Sequence, residues 1–398
     1  MSINVLIVSL NGVQELSGGG LYLRSVVSAF AGLEGVVDRL TVLSKDVGEQ
    51  KVALPQGAQY VYLQKTLSSD VLSRAMLNPT FLGTSVGLIA RHAREADLIV
   101  LHNSRCGRIL TSLKRRFPGK KFGIISDNSE YDLRRQHEAG SLLRRLEKAI
   151  DVHEIYAAEQ RCLNADFISF ITRKDLSVFA ARYGQPRLHG ILPITVEPGM
   201  QASALRGQER IRAIFTGHFG FAPNVGALET FAQVAASHAA RAGLPVVFAA
   251  AGAGVSRCAV PGGQVEKLES PSAAQMQAFF RNASVYLAPV SWGSGMKTKV
   301  AEALSYGLPV ICLPNAAEGY EDVLASERHA RVIEVVHNGE QMADALGRLL
   351  ADPAELMRRR QLALEAFGLF LSPESQARRV QALLAAMALA EPADQSSR

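Results

Sequence analysis

Several familiar signals are missing from this chain, and each absence closes a class. No apolar run reaches the roughly 20 residues needed to cross a bilayer, the longest near-uniform stretches being LPVVFAAAGAGV and ALLAAMALA. The N-terminus has no basic segment followed by a cleavage site, so a cytoplasmic setting is expected. The four cysteines, Cys106, Cys162, Cys258 and Cys312, are widely spaced and form no C-x-x-C, which reads as reduced structural thiols rather than a disulfide framework. H-E-x-x-H and the P-loop pattern are absent as well, removing the corresponding metalloprotease and kinase readings.

What is present is a soluble, globular composition. At 398 residues, 48% apolar and 20% charged, the chain is too long for one ordinary domain and sufficient for two, each with its own core. The formal charge of +6 is unevenly spread: residues 1–195 hold 25 Lys and Arg against 18 Asp and Glu, while residues 196–398 hold 18 against 19. Clusters at Lys114-Arg115-Arg116, Lys120-Lys121, Arg134-Arg135 and Arg144-Arg145 fit an anionic membrane surface, nucleic acid or plain water. No aromatic-interleaved basic motif accompanies them, so nucleic acid is not expected as a partner.

Strand and helix signals alternate throughout. INVLIVSL, a β-branched apolar run, is followed by Gly18-Gly19-Gly20 and the helix-periodic LYLRSVVSAFAGL, which is a βα unit. Strand-like runs recur at RLTVLS, QYVYLQ, ADLIVLH, KKFGIIS and ADFISFIT. Apolar strands between helices predict a parallel sheet covered on both faces. The pattern lapses at PITVEPGMQASALRGQER and restarts with RIRAIFTG, PVVFAAAG, VEKL, ASVYLAPV, PVICL and RVIEVV. The expected class is α/β: two tandem Rossmann-like, doubly wound domains, 1–195 and 196–372, with a cleft at the carboxyl ends of their strands. A C-terminal helix and tail, 373–398, should cross back onto the first domain.

One stretch carries most of the chemistry. GSGMKTKVAEALSYGLPVI, residues 293–311, places Met296, Val300 and Leu304 on one buried helical face and puts Lys297 and Lys299 at the helix start. Cations are disfavoured there by about 0.3–1 kcal/mol each, so an anion bound among the helix N–H groups and the ammonium groups is the natural reason for them.

The run Glu302-Ala303-Leu304-Ser305-Tyr306-Gly307-Leu308-Pro309-Val310 resembles the donor-site signature of GT-B glycosyltransferases, in particular family 4 and the bacterial polysaccharide transferases with a G-M-K-x-K turn. The resemblance implies that Glu302 accepts hydrogen bonds from ribose hydroxyls, since a carboxylate offers two acceptor oxygens to a vicinal diol. It implies that Gly295, Met296, Lys297 and Thr298 surround the diphosphate. Ser294 stands where the family usually has a sugar-contacting glutamate. IFTGHFGFAPNVGALETF resembles the opening of the family's second domain, which implicates Gly217, His218 and Asn224; a merely packed histidine is the alternative for His218. Gly18-Gly19-Gly20 resembles the family's phosphate-facing loop, a flexible turn being the alternative. His102, ending ADLIVLH and so expected to face the cleft, and the strand-end segment Asp127-Asn128-Ser129-Glu130 match candidate catalytic or acceptor positions, helix capping being the alternative for the carboxylates.

The resemblance implies transfer of a sugar from a nucleotide-diphosphate sugar, the donor substrate, to a saccharide or polyprenyl-linked saccharide, with retention. No D-x-D is present, so no metal or other cofactor is expected. The basic first domain would visit the inner membrane face as a peripheral partner. An epimerase of the same fold and a nucleotide-binding pseudo-enzyme are the alternatives.

Overall fold

The computed structural model describes all residues except 1, 49–51, 137–140, 202–209, 242–244, 261–264, 294 and 390–398, and the side chains of 142 and 143. Residues 202–209 of the expected linker, the terminal tail and Ser294 therefore lie outside the described residues. The chain divides into two compact units, one of Met1–Ile194 with Gln376–Arg398 and the other of Thr195–Ser375.

The first unit holds seven parallel strands: β1 (Ile3–Ser9), β2 (Val37–Lys45), β3 (Ala58–Leu63), β4 (Leu98–His102), β5 (Lys121–Ser126), β6 (Phe167–Phe170) and β7 (His189–Ile191), in the order β3-β2-β1-β4-β5-β6-β7. β4 and β6 are buried along their whole length and β5 at every residue but Lys121. That is why they read as continuous apolar runs rather than alternating ones. The short edge strand β7 was not legible, because HGI is partly exposed and has neither pattern.

The second unit repeats the design with β8 (Ile211–Thr216), β9 (Val246–Gly252), β10 (Val265–Glu269), β11 (Val285–Ala288), β12 (Val310–Cys312) and β13 (Ile333–Val335), all parallel, in the order β10-β9-β8-β11-β12-β13. All six correspond to the strand-like runs of the sequence. In each sheet the strand order reverses direction beside the first strand, between β1 and β4 and between β8 and β11. Doubly wound sheets open a ligand crevice at that point.

Close helix packing completes the first unit. A Cβ on Gly107 would lie 1.9 Å from the Ala158 carbonyl oxygen, so any side chain there would push the helix Gly107–Arg116 off the helix Leu142–Cys162. Asp352 caps the helix Pro353–Ala366 by accepting from the Ala354 and Glu355 N–H groups, with proline at the first helical position as its fixed φ favours. After a π turn at Phe367–Leu371 the last helix, Pro373–Ala386, returns to the first unit. There Ser25 Oγ donates to Gln376 Oε1 at 2.7 Å, and Leu383 packs against Gly190.

Candidate functional site

Chemistry-bearing side chains gather at the carboxyl edge of each sheet. In the first unit, β1, β4 and β5 end side by side, and the residues just beyond them meet. Asn103 adopts φ +99°, a conformation that costs an L residue about 1–3 kcal/mol. In return its Nδ2 donates to Asp127 Oδ1 at 2.8 Å and to Glu130 Oε1 at 2.9 Å. Asn11 adds a donor to Asp127 at 3.3 Å, and Arg105 pairs with Glu130 at 2.7 Å. Both carboxyl groups are more than nine-tenths buried. Burial raises both pKa values, Glu130 further through Asp127, while Arg105 opposes the rise. Glu159 supports this layer by accepting from the Glu130 N–H, Ser104 Oγ and Tyr183 Oη.

These groups border a cavity of about 430 Å³, which Gly19, Lys45, Lys65, Arg74 and Asn128 also line. The helix Gly18–Ala31 begins at the glycine triplet, where Ser17 Oγ accepts from the Gly20 N–H at 3.2 Å. Gly20 must lack a side chain, since a Cβ would come within 2.3 Å of the Glu15 carbonyl oxygen.

His102 is a correction. Instead of facing open space at its strand end, it is fully buried beneath the helix Gly18–Ala31, its ring 5.3 Å from that of Tyr22 and Nδ1 3.1 Å from Ser9 Oγ. Nε2 has no partner among the described residues. Burial pushes the pKa down to about 3, so the imidazole is neutral.

In the second unit, β8 ends at Thr216 and Gly217 follows. His218 is exposed, and its carbonyl accepts from Asn224 Nδ2 at 2.9 Å. The turn before the helix Thr298–Ser305 needs glycine at Gly293 (φ +114°) and Gly295 (φ +72°). Lys297 is the N-cap residue and no side chain caps that helix. Lys297 Nζ folds over its own turn, donating to the carbonyls of Gly295 at 2.7 Å and Gly293 at 3.2 Å. Met296, with Val300 and Leu304, is buried as its spacing requires, packing against Gly319. Tyr320 Oη donates to the Lys297 carbonyl and accepts from the Ala301 N–H, fixing the turn.

Lys299 is brought into the centre of this cluster. Its ammonium donates to Asn224 Oδ1 at 2.7 Å and lies 4.9 Å above the Phe215 ring. Burial, then Lys297, lowers its pKa to about 8 against the opposing pull of Glu302. Burial raises Glu302 to about 7, with Lys299 opposing. An uncapped helix start, two ammonium groups and a carboxylate held near neutrality can bind a diphosphate and a diol together. Thr298 opens the helix within this group.

Sequence reasoning did not single out Asn11, Asn103 and Arg105. The available signal was the dipeptide His-Asn at the end of β4, because asparagine tolerates positive φ better than most residues. Nor did it single out Trp292, the chain's one tryptophan, which is 55% exposed, as is Phe221, their ring centroids being 6.5 Å apart.

Residues 210–352 match the family model described as Glycosyl transferases group 1. The matched segment contains every second-unit residue of the site. Among solved structures the chain is similar to HepE of Anabaena in complex with UDP, with a TM-score of 0.66 at 13% identity over 97% of this chain and 100% of that one. It is likewise similar to sucrose-phosphate synthase from Thermosynechococcus elongatus, with 0.64 at 17% identity over 97% and 99%. The lipopolysaccharide outer core galactosyltransferase WaaB in its apo form gives 0.64 at 12% identity over 97% and 100%. At these identities the likeness establishes the fold, two Rossmann-like units of the GT-B class. Among curated protein sequences none matches the chain significantly.

Proposed function

We propose that the protein transfers a hexose from a nucleoside-diphosphate sugar to a saccharide or polyprenyl-linked saccharide, with retention of configuration and without a divalent metal. The observation that carries this reading is the Asn224–Lys299–Glu302 cluster beneath the Lys297 turn, inside the segment that matches the family model for glycosyl transferases group 1.

In this reading the Glu302 carboxylate accepts from the two ribose hydroxyls. The diphosphate lies against the uncapped helix start, and Lys297 exchanges its two carbonyl partners for phosphate oxygens. As the glycosidic bond breaks, negative charge builds on the leaving diphosphate, and donors already aimed at that position stabilise it electrostatically. The cavity of the first unit takes the acceptor, with Asn103, Arg105, Asp127 and Glu130 presenting donors and acceptors to sugar hydroxyls. Retention follows a front-face route in which a diphosphate oxygen removes the acceptor proton. If the reaction inverts instead, Asp127 or Glu130 is the base, and their raised pKa values suit that task.

HepE is solved with UDP-glucose, which makes uridine nucleotides the first donors to test. Trp292 stands one residue before Gly293, so titration with nucleotide sugars should change its fluorescence. Sugar should then move only when a saccharide acceptor is present. Donor turnover without acceptor would indicate an epimerase, and binding with no turnover under any acceptor would indicate a pseudo-enzyme.

A further inference from the structure

The helix Leu67–Ala75 is built inside out. It buries Ser73, whose Oγ donates to the Phe81 carbonyl at 3.2 Å, and exposes Leu67 (83%), Val71 (60%) and Leu72 (56%). Met76 and Leu77, just beyond it, are about half exposed. A surface helix normally turns its apolar stripe to the core, and contiguous exposed apolar patches on soluble proteins mark interaction sites.

The patch continues onto the helix Leu142–Cys162, where Leu146 and Ile150 are exposed. Arg74 ties the two helices together through Glu147 at 3.0 Å and Asp151 at 2.8 Å. Between them lies an apolar groove of about 340 Å³. Arg144, Arg145 and Lys65 are exposed on the same two segments. Arg74 and Pro79 border both this groove and the 430 Å³ cavity, so the apolar face is continuous with the mouth of the acceptor cavity.

The clusters Lys114-Arg115-Arg116 and Lys120-Lys121 sit elsewhere. Lys120 and Lys121 precede and open β5, about 20 Å by strand rise from Asp127 at its far end. Lys114 and Lys120 are engaged with the backbone carbonyls of Asn164, Arg94 and Ala96. Membrane contact through them would address the wrong end of the sheet.

We propose that the face formed by Leu67–Leu77 and the start of the helix Leu142–Cys162 docks on an anionic bilayer. Leu67, Val71 and Leu72 enter the headgroup–acyl boundary as interfacial helices do, and Arg144 and Arg145 meet lipid phosphates. This rests on assigning the first-unit cavity to the acceptor, and adds that the acceptor is drawn from the membrane.

The test is co-sedimentation of the full chain with vesicles of phosphatidylcholine containing increasing phosphatidylglycerol, at low and physiological salt. Wild type should bind in proportion to anionic lipid. V71E/L72E should bind at least tenfold less, R144Q/R145Q should bind several-fold less with a flatter salt response, and R115Q/R116Q should match wild type. Unchanged binding by V71E/L72E, or release caused by R115Q/R116Q instead, overturns the proposal. So does failure of wild type to bind anionic vesicles at low salt. A wild-type dimer that V71E/L72E dissociates would assign the face to a second copy and overturn it equally. Nucleotide-sugar quenching of Trp292 in the same variants separates the two ideas: donor binding without docking defeats only the docking surface, whereas no donor binding by wild type defeats the enzymatic reading.

Discussion

The pH dependence of donor binding follows from Glu302. To accept two ribose O–H groups it must be ionised, and burial raises its pKa to about 7 from the ordinary 4.5. The competent form is therefore lost as pH falls through 7, not through 4.5. With one proton excluded by binding, the dissociation constant should rise about tenfold between pH 8 and pH 6, or about 1.4 kcal/mol. The rise is bounded below, because protonated glutamic acid and glutamine are near isosteres. E302Q should bind about 1.5–3 kcal/mol more weakly, the range for hydrogen bonds to a charged group, and should lose the fall in affinity between pH 7 and pH 6. At higher pH, Lys299 loses its charge as pH rises through about 8, so affinity should peak between roughly pH 7 and 8 in wild type. Fluorescence titration of Trp292 with a nucleotide sugar is the suitable assay, because the bridging diphosphate of a nucleotide sugar does not titrate in this range. A dissociation constant that is flat from pH 6 to 8, or that rises with pH over that range, would refute the ribose role of Glu302.

Other predictions use the same geometry. E302Q should stabilise the ligand-free protein above pH 7: a raised folded-state pKa contributes stability in full below the ordinary value and loses it as pH rises through the folded one, a cost on the order of 2–3 kcal/mol that thermal melts at pH 5 and pH 8 would read. K297A should weaken nucleoside-diphosphate binding by about 1.5–3 kcal/mol with an unchanged melting temperature, and unaltered affinity in the folded variant would remove the diphosphate role. Transfer activity should survive excess EDTA; abolition reversed by magnesium or manganese would count against the metal-free reading. N103G should retain more stability than N103A, since glycine adopts φ +99° freely, while both lose the bonds to Asp127 and Glu130 and should lower acceptor turnover more than donor binding.

Much of this protein was legible in its sequence because two signals are local. Parallel strands buried on both faces must be apolar throughout, so the central strands of each sheet announce themselves. The helix Thr298–Ser305 shows its core face through Met296, Val300 and Leu304, and its glycine turn through residues whose backbone no other side chain adopts readily. Those local rules determined the fold class, the two-unit division and the position of the glycine turn before the helix Thr298–Ser305.

What tertiary structure alone decided is which side chains meet, and at what cost. Lys297 and Lys299 look alike in sequence, yet one crowns its own turn and the other reaches Asn224 across the Phe215 ring, because the helix beginning at Ala222 lies over that side. His102 ends its strand as expected, but Tyr22 closes over it and leaves it neutral. Asn103 joins Asp127 to Glu130 across 24 and 27 residues, a relation no local pattern encodes. The outward face of Leu67–Ala75 is of the same kind. Its residues show an amphipathic helix, and only the packing of Ser73 against Phe81 shows that the apolar side was left to face something else.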